Sequence, residues 1–232
     1  MKKNDECYEI LSLVTHDLKS PMTAVMGALH FLEFEGASKE EKALSIKYAK
    51  KASKSILKLI ENILVMAKHE AGSLKIELSK IDNLYEHFLE IKHTFKYEAK
   101  VKDINLKFNI PKKLPPVYWD IDTLQYHAFN NIVSNAIKFT KKNGNIIFDV
   151  EAKQKDIIII IKDDGIGIEK DQRETIFDKY ETHNNQKAFK GTGLGLHNAY
   201  NFIRQHNGNI KIINGINEKG VGFKITIPIK LT

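Results

Sequence analysis

The chain has 232 residues, 42% hydrophobic and 28% charged, the balance of a globular protein with room for one large or two small domains. No apolar run is longer than Ile157 to Ile161, far too short to cross a bilayer; the opening residues lack the apolar centre of a signal peptide; and the single Cys7 excludes an internal disulfide and a cysteine metal cage. The net charge of +7 would suit nucleic acid, an anionic surface, a phosphorylated ligand or an acidic protein partner, yet no helix-turn-helix signature or aromatic-interleaved basic patch supports nucleic acid, and the cysteine usage suits a reducing cytoplasm.

In chain order, residues 5 to 33 come first. Leu11, Leu18, Val25 and Leu32 recur every seven residues, with Val14, Thr15, Met22, Ala28 and Leu29 in the adjacent stripe, which predicts a bundle-type helix. A break at Glu35-Gly36-Ala37-Ser38 follows, with Ser38 as N-cap and Glu41 completing a capping box. A second helix runs to about Lys68, its apolar positions being Leu44, Tyr48, Ala52, Leu59, Ile60, Ile63, Met66 and Ala67, and ends at Ala71-Gly72. So short a connection makes the helices antiparallel neighbours. Stripes this wide predict a four-helix bundle made by two copies, a homodimer. Seven lysines between Lys39 and Lys58 face only Glu40 and Glu41, a basic and solvated helix face.

After Gly72 the pattern changes. Leu74 to Leu78 alternates like a strand, Asn83 to Lys100 reads as a helix, and Ile104 to Ile110 alternates again before a loop marked by Pro111, Pro115 and Pro116. Asp120 caps a helix running to about Thr140. Strands are predicted at Asn145 to Ala152 and Asp156 to Lys162, an aperiodic segment at 178 to 190, a helix from Leu194 to Gln205, and two last strands near 209 to 214 and 222 to 229. The prediction is α+β: a helical hairpin over residues 1–72, then a domain over 73–232 with antiparallel strands and helices on one face.

His16 lies in the first helix, opposite the Leu11/Leu18/Val25 stripe, and is expected to face water. Most such histidines are surface residues. Here Asp17 stands beside it as a base or orienting group, and Pro21 removes the N–H that the Asp17 carbonyl needs, which bends the helix. Neutral imidazole is a good nucleophile near pH 7. A metal role finds no support, since no second ligand lies three or four residues away on that face.

Three stretches of the second domain belong together. Asn131, Asn135 and Lys138 share a helical face, where amide oxygen suits a hard cation and ammonium suits phosphate. Asp163-Asp164-Gly165-Ile166-Gly167 follows the Ile157–Ile161 strand, a carboxylate and glycine turn able to take a purine amino group. Gly191-Thr192-Gly193-Leu194-Gly195-Leu196 opens a helix, whose free N–H groups attract phosphate. The run is neither a Walker loop nor a Rossmann turn. Each stretch alone is ordinary; their conjunction is not.

The chain resembles a sensor histidine kinase of bacterial two-component systems. "THDLKSP" resembles its H box, "NIVSNAIKFT" the N box, "DDGIG" the G1 box, "IFDKY" the F box, "GTGLGL" the G2 box, and "KGVGFKITIP" its closing strand, over residues 8 to 229. The resemblance implies a dimerisation and phosphotransfer hairpin followed by an α/β-sandwich Bergerat-fold domain that binds ATP and Mg2+. It implies His16 as phospho-acceptor, Asp17 as acid/base helper and Asn135 as magnesium ligand. Asn131, Lys138 and Phe139 would lie near the nucleotide. Asp163 would hold the adenine amino group beside Gly165, Gly167 and Ile168, and Phe177 and Tyr180 would anchor a lid over 178 to 190. Gly191, Thr192, Gly193, Leu194, Gly195 and Leu196 would cradle phosphates. The implied partner is the receiver domain of a separate response regulator.

Two departures stand out. Ser20 replaces the Thr or Asn usual where such kinases are also phosphatases, and Lys190 replaces a glycine before Gly191. Hydrolytic relatives of the ATPase fold carry glutamate where this chain has Asn131, so the site should hydrolyse ATP poorly and suit transfer to another group. The competing expectation is a non-catalytic ATP-binding or docking module with a degenerate Bergerat fold. How the 34 to 38 loop turns the bundle decides whether phosphate passes within one subunit or between two.

Overall fold

The computed structural model describes residues 2–181 and 193–230, with backbone alone for 2–13 and His16. The chain divides into two compact units, Met1–Ser73 and Leu74–Thr232.

The first unit is a helical hairpin, α1 (Lys2–Leu32) and α2 (Lys39–Glu70). The capping box forms: Glu41 N donates to Ser38 Oγ at 3.2 Å, and Ser38 N donates to Glu41 Oε2 at 2.9 Å. Two orphan donors of the helix start are thereby satisfied. α1 continues as one helix through Pro21. On α2 the buried positions are Ser45, Ala52, Leu59 and Met66, seven apart, with Asn62 between them. Small residues bring the helices close, and Ser45 Oγ donates to the Ala28 carbonyl at 2.9 Å. Ala52, Leu59 and Met66 of the stripe expected for α2 are buried, Ser45 and Asn62 join them, and Leu44, Tyr48, Ile60 and Ala67 are exposed. Met22, Met26, Leu29, Leu57 and Leu64 are also exposed large apolar residues. One helical neighbour has too narrow a contact to cover them.

The second unit is a two-layer α+β sandwich. Its sheet has the order β2 (Asn105–Asn109), β4 (Asn145–Lys153), β5 (Asp156–Asp163), β7 (Val221–Pro228), β6 (Asn209–Asn214). The strands pair antiparallel as expected except at one edge, where β2 runs parallel to β4 with Asn105 opposite Asn145. A helical crossover separates those two strands, which returns the chain in the same direction. Leu74–Leu78 is not a strand. β1 begins at Ser79 (Ser79–Ile81), where it finds an antiparallel partner in β3 (Val117–Trp119).

The helical layer comprises α3 (Leu84–Val101), a composite helix from Ile121 to Phe139, and α6 (Leu194–Gln205). Asp120 caps the composite helix as expected, its Oδ1 accepting from Thr123 N at 3.0 Å. The helix is not uniform, however. Between α4 (Ile121–Thr123) and α5 (Asn130–Phe139) lies a π segment, Leu124–Phe129. The Asn130 N–H reaches back five residues to the Gln125 carbonyl there. Phe88, Ile91, Leu124, Phe129, Ile132 and Ile137 of the helices pack on Ile146, Phe148, Ile157, Ile159, Ile161 and Ile225 of the sheet. Each buried large side chain contributes roughly 1.5–3 kcal/mol by leaving water. Trp119 Nε1 donates to the Pro228 carbonyl at 2.6 Å, tying β3 to the end of β7.

Candidate active site

β5 buries every second residue, Ile157, Ile159, Ile161 and then Asp163. Strand parity alone therefore turns the Asp163 carboxylate to the same side as the core. It is 3% exposed, and two backbone donors converge on one of its oxygens: Oδ1 accepts from Gly165 N at 2.9 Å and from Val221 N at 3.3 Å. Burial pushes this carboxyl up to about 6, against the two N–H groups that pull it down. Asp164, one residue later, is spent on structure. Its Oδ1 accepts from Asn145 N and its Oδ2 from Asn145 Nδ2, both at 2.8 Å.

Glycine is required around Asp163. A Cβ at Gly165 would lie 2.5 Å from the Phe139 carbonyl oxygen and 2.9 Å from Asp163 Oδ1. The Phe139 carbonyl also accepts from Ile166 N at 3.4 Å, so the glycine turn rests on the end of α5. Gly220, at φ +72°, closes the other side: a Cβ there would lie 2.5 Å from Asp163 Oδ1. Gly167 follows the turn, and Ile168 packs on the core while its carbonyl accepts from Arg173 Nε at 3.3 Å.

On α5, Asn131 is buried and donates from Nδ2 to the His127 carbonyl at 2.7 Å, inside the π segment. Its other amide atom meets α6: a Cβ on Gly195 would lie 3.7 Å from Asn131 Oδ1. Thus the N-box helix and the glycine-rich start of α6 touch. Asn135 and Lys138 are half-buried on the same helix, the Lys138 ammonium 4.9 Å from the Phe139 ring centre. Leu194 is buried, Leu196 packs on the core, and Gly193 starts α6 with φ +67°. A Cβ at Gly193 would strike the Tyr180 backbone, so Tyr180 and the helix start abut. Phe177 packs on Tyr200 at 5.4 Å between ring centres. Its carbonyl lies 2.9 Å from His197 Nδ1 and must accept, so the ring carries its proton on Nδ1. Asn201 Nδ2 then donates to His197 Nε2 at 2.9 Å. Gly191, Thr192, Lys190 and most of the expected lid lie outside the described residues.

The expected acceptor, His16, lies in the helical backbone of α1; the orientation expected for its ring lies outside the description. Asp17 and Pro21 are half-buried, Ser20 is exposed, and Thr23 Oγ1 donates to the Lys19 carbonyl at 2.8 Å.

The motifs passed over Gly220, which walls Asp163, and two buried or half-buried polar side chains that fix the helical layer, His206 and Lys102. Gly220 stood inside a stretch read only as a closing strand. His206, fully buried, accepts on Nε2 from Asp120 N at 3.0 Å, its Nδ1 donating to the Phe202 carbonyl at 2.8 Å; burial holds its pKa below the usual histidine value. Lys102 gives its ammonium to three carbonyls at the end of α5. Only a lysine in an otherwise apolar-to-strand transition hinted at it.

Known proteins share these features. Residues 8–72 match the family described as His Kinase A (phospho-acceptor) domain, and residues 120–232 match the Histidine kinase-, DNA gyrase B-, and HSP90-like ATPase family. The chain is 26% identical to sporulation kinase E of Bacillus subtilis over 99% of its own length and 30% of that protein's. It is 30% identical to the sensor protein KdpD of Clostridium acetobutylicum over 96% of its length and 25% of that protein's. It thus spans less than a third of these relatives. The catalytic domain of histidine kinase ThkA superposes with a TM-score of 0.58 at 29% identity, covering 66% of this chain and 97% of that one. Full-length ShkA, solved in complex with AMPPNP, shares the fold at a TM-score of 0.70 and 20% identity, over 97% of this chain and 46% of that one. Hairpin, ATPase sandwich and ordered boxes agree with these matches, and the chain belongs to the sensor histidine kinase family.

Proposed function

We propose that this chain is the catalytic core that moves the γ-phosphate of ATP onto His16 and passes it to an aspartate of a separate response regulator. The observation that carries the reading is Asp163, a desolvated carboxylate at the inward end of β5, walled by glycines and set beside the helix bearing Asn135 and Lys138. Its Oδ1 is filled by two backbone donors, which leaves Oδ2 to accept the adenine amino N–H. Lys138 would meet phosphate oxygens, which the positive dipole end at the N-terminus of α6 would also favour.

Magnesium fits the donor set. No cluster of three or more His, Cys, Asp or Glu among the described residues forms a dedicated metal cage. A cation bound by phosphates and one amide oxygen needs none, and Asn135 would hold it. When bound it neutralises phosphate charge. In the transfer, the imidazole lone pair of His16 forms the N–P bond as the bond to the β-phosphate oxygen breaks; ADP leaves and Asp17 takes the ring proton. Asn131 occupies its amide nitrogen on the His127 carbonyl and offers no base for water, so hydrolysis stays slow.

The exposed apolar face of the hairpin supports a second copy as partner, and the residue content supports a cytoplasmic setting. No helix among the described residues is long and apolar enough to cross a membrane. A solved structure pairs ThkA with the response regulator TrrA. For this chain, the exposed Lys50, Lys54 and Lys58 of α2 would steer an acidic receiver pocket. Reversing their charge is expected to slow phosphotransfer about tenfold at low salt while leaving self-phosphorylation intact, as phosphate chase to a receiver domain would measure.

Nucleotide affinity follows Asp163. Its folded pKa is raised, so the empty site takes up a proton as pH falls through about 6 and loses the acceptor that adenine needs. The dissociation constant of a fluorescent ATP analogue is expected to rise below pH 6 and to be flat from pH 7 to 8. The decisive experiment on function is incubation with magnesium and γ-labelled ATP. Acid-labile, base-stable label on the protein supports the kinase, and a protein that binds nucleotide yet never takes label is the docking module instead.

A further inference from the structure

We propose that Lys102 is a positioning residue for the nucleotide, its ammonium holding the end of α5 in the register on which the adenine-side turn is built. The proposal deepens the kinase reading and takes its ligand from it.

The last carbonyls of any helix have no partner within the helix. At the end of α5, Lys102 supplies one. Its Nζ lies 2.7 Å from the Ile137 carbonyl oxygen, 3.1 Å from that of Lys138 and 3.3 Å from that of Thr140. An ammonium has three N–H donors, so each carbonyl receives one, and the cation sits at the negative end of the helix dipole. Lys102 itself is the C-cap residue of α3. A single side chain therefore ties the ends of two helices together.

The connection to the site runs through Phe139. Its carbonyl lies between the residues that Lys102 grips. It accepts from Ile166 N and touches the α-carbon side of Gly165. Gly165 N in turn donates to Asp163 Oδ1 at 2.9 Å. At Thr140 the chain leaves the helix for an extended conformation, φ −77° and ψ 136°. The ammonium thus fixes the peptides on both sides of the carbonyl that seats the glycine turn. Released, these carbonyls would turn toward water, and the orientation of Asp163 would loosen with them.

The test uses the full chain with Lys102→Met, which keeps the length of the side chain, and Lys102→Arg, which keeps its charge. Lys142→Met, a neighbouring cation paired with exposed Asp103, serves as control. Three quantities are read well below the melting temperature: affinity for a fluorescent ATP analogue with magnesium, affinity for ADP, and hydrogen exchange of the Ile166 amide without nucleotide. Lys102→Met is expected to weaken both nucleotides by a similar factor, about tenfold, because the change lies at the adenine end. Ile166 exchange should quicken, Lys102→Arg should recover most of both effects, and the control should stay within about twofold. A Lys102→Met protein that melts earlier but binds as the parent does, with Ile166 exchange unchanged, makes Lys102 a plain helix cap and overturns the proposal. Should Lys102→Met fail to fold, Lys102→Arg decides: affinity and Ile166 protection near the parent's support the role, and a loss of protection with no loss of affinity refutes it. If the parent binds no nucleotide, the kinase reading falls, while Ile166 exchange still reports on the clamp.

Discussion

Replacing His16 by Gln is expected to abolish phosphate incorporation from ATP, by at least ~10³-fold, while nucleotide affinity stays as in the parent. Glutamine is as good a helix former as most residues, so α1 should persist. What disappears is the imidazole lone pair. A carboxamide nitrogen is delocalised into its carbonyl and does not attack phosphorus. ATP is bound by a compact unit of its own, Leu74–Thr232, so its affinity should not register the change. Equilibrium binding together with labelling by γ-labelled ATP reads both quantities. Label retained on the variant would move the acceptor to another side chain, and acid stability of that label would identify a hydroxyl.

Asp163→Asn is the second large effect. Asparagine can keep the acceptor on which Gly165 and Val221 donate, but it puts an NH2 where the second carboxylate oxygen stood. Two donors then face each other across the adenine amino group. Nucleotide affinity should fall about 100-fold, ~3 kcal/mol, the scale for losing a hydrogen bond to a buried charge. The empty protein should behave differently. Above pH 6 the native carboxylate is ionised at a desolvation cost, since its pKa is raised to about 6 from an ordinary 3.8. Between those two values the folded state binds more protons than the unfolded one, so Asp163 favours folding increasingly as pH falls through that window. Asparagine removes the penalty, and the melting temperature of the empty variant at pH 8 should equal or exceed the parent's. Loss of binding with retained stability marks a ligand contact; affinity within threefold of the parent would strip Asp163 of its role.

Much of this was legible because local chemistry and fold agree. Ser38 and Glu41 announce their cap, and alternation marks β4 and β5 to within a residue. Parity along β5 even distinguishes Asp163 from Asp164 once the strand is extended by one position. Illegible parts depended on partners distant in sequence. β3 is three residues long after a proline pair, and it exists because β1 pairs with it and the Tyr118 N–H finds the Ile229 carbonyl. The π segment, Leu124–Phe129, is too short for any hydrophobic periodicity to reveal. On α2 the apolar pattern marks Ala52, Leu59 and Met66 but not Ser45, a small polar residue whose burial depends on the Ala28 carbonyl of the facing helix. Lys102 reads as a surface lysine until α5 is brought against it.

Gly220 carries a consequence for genetics. The glycine turn after Asp163 is written in residues 163 to 167, but the second wall around that carboxylate is supplied by the final hairpin, where Gly220 abuts it and Val221 donates to it. A lesion at Gly220 would mimic one in the turn itself, and a chain cut before β7 would keep every letter of that turn while losing the wall that seats Asp163.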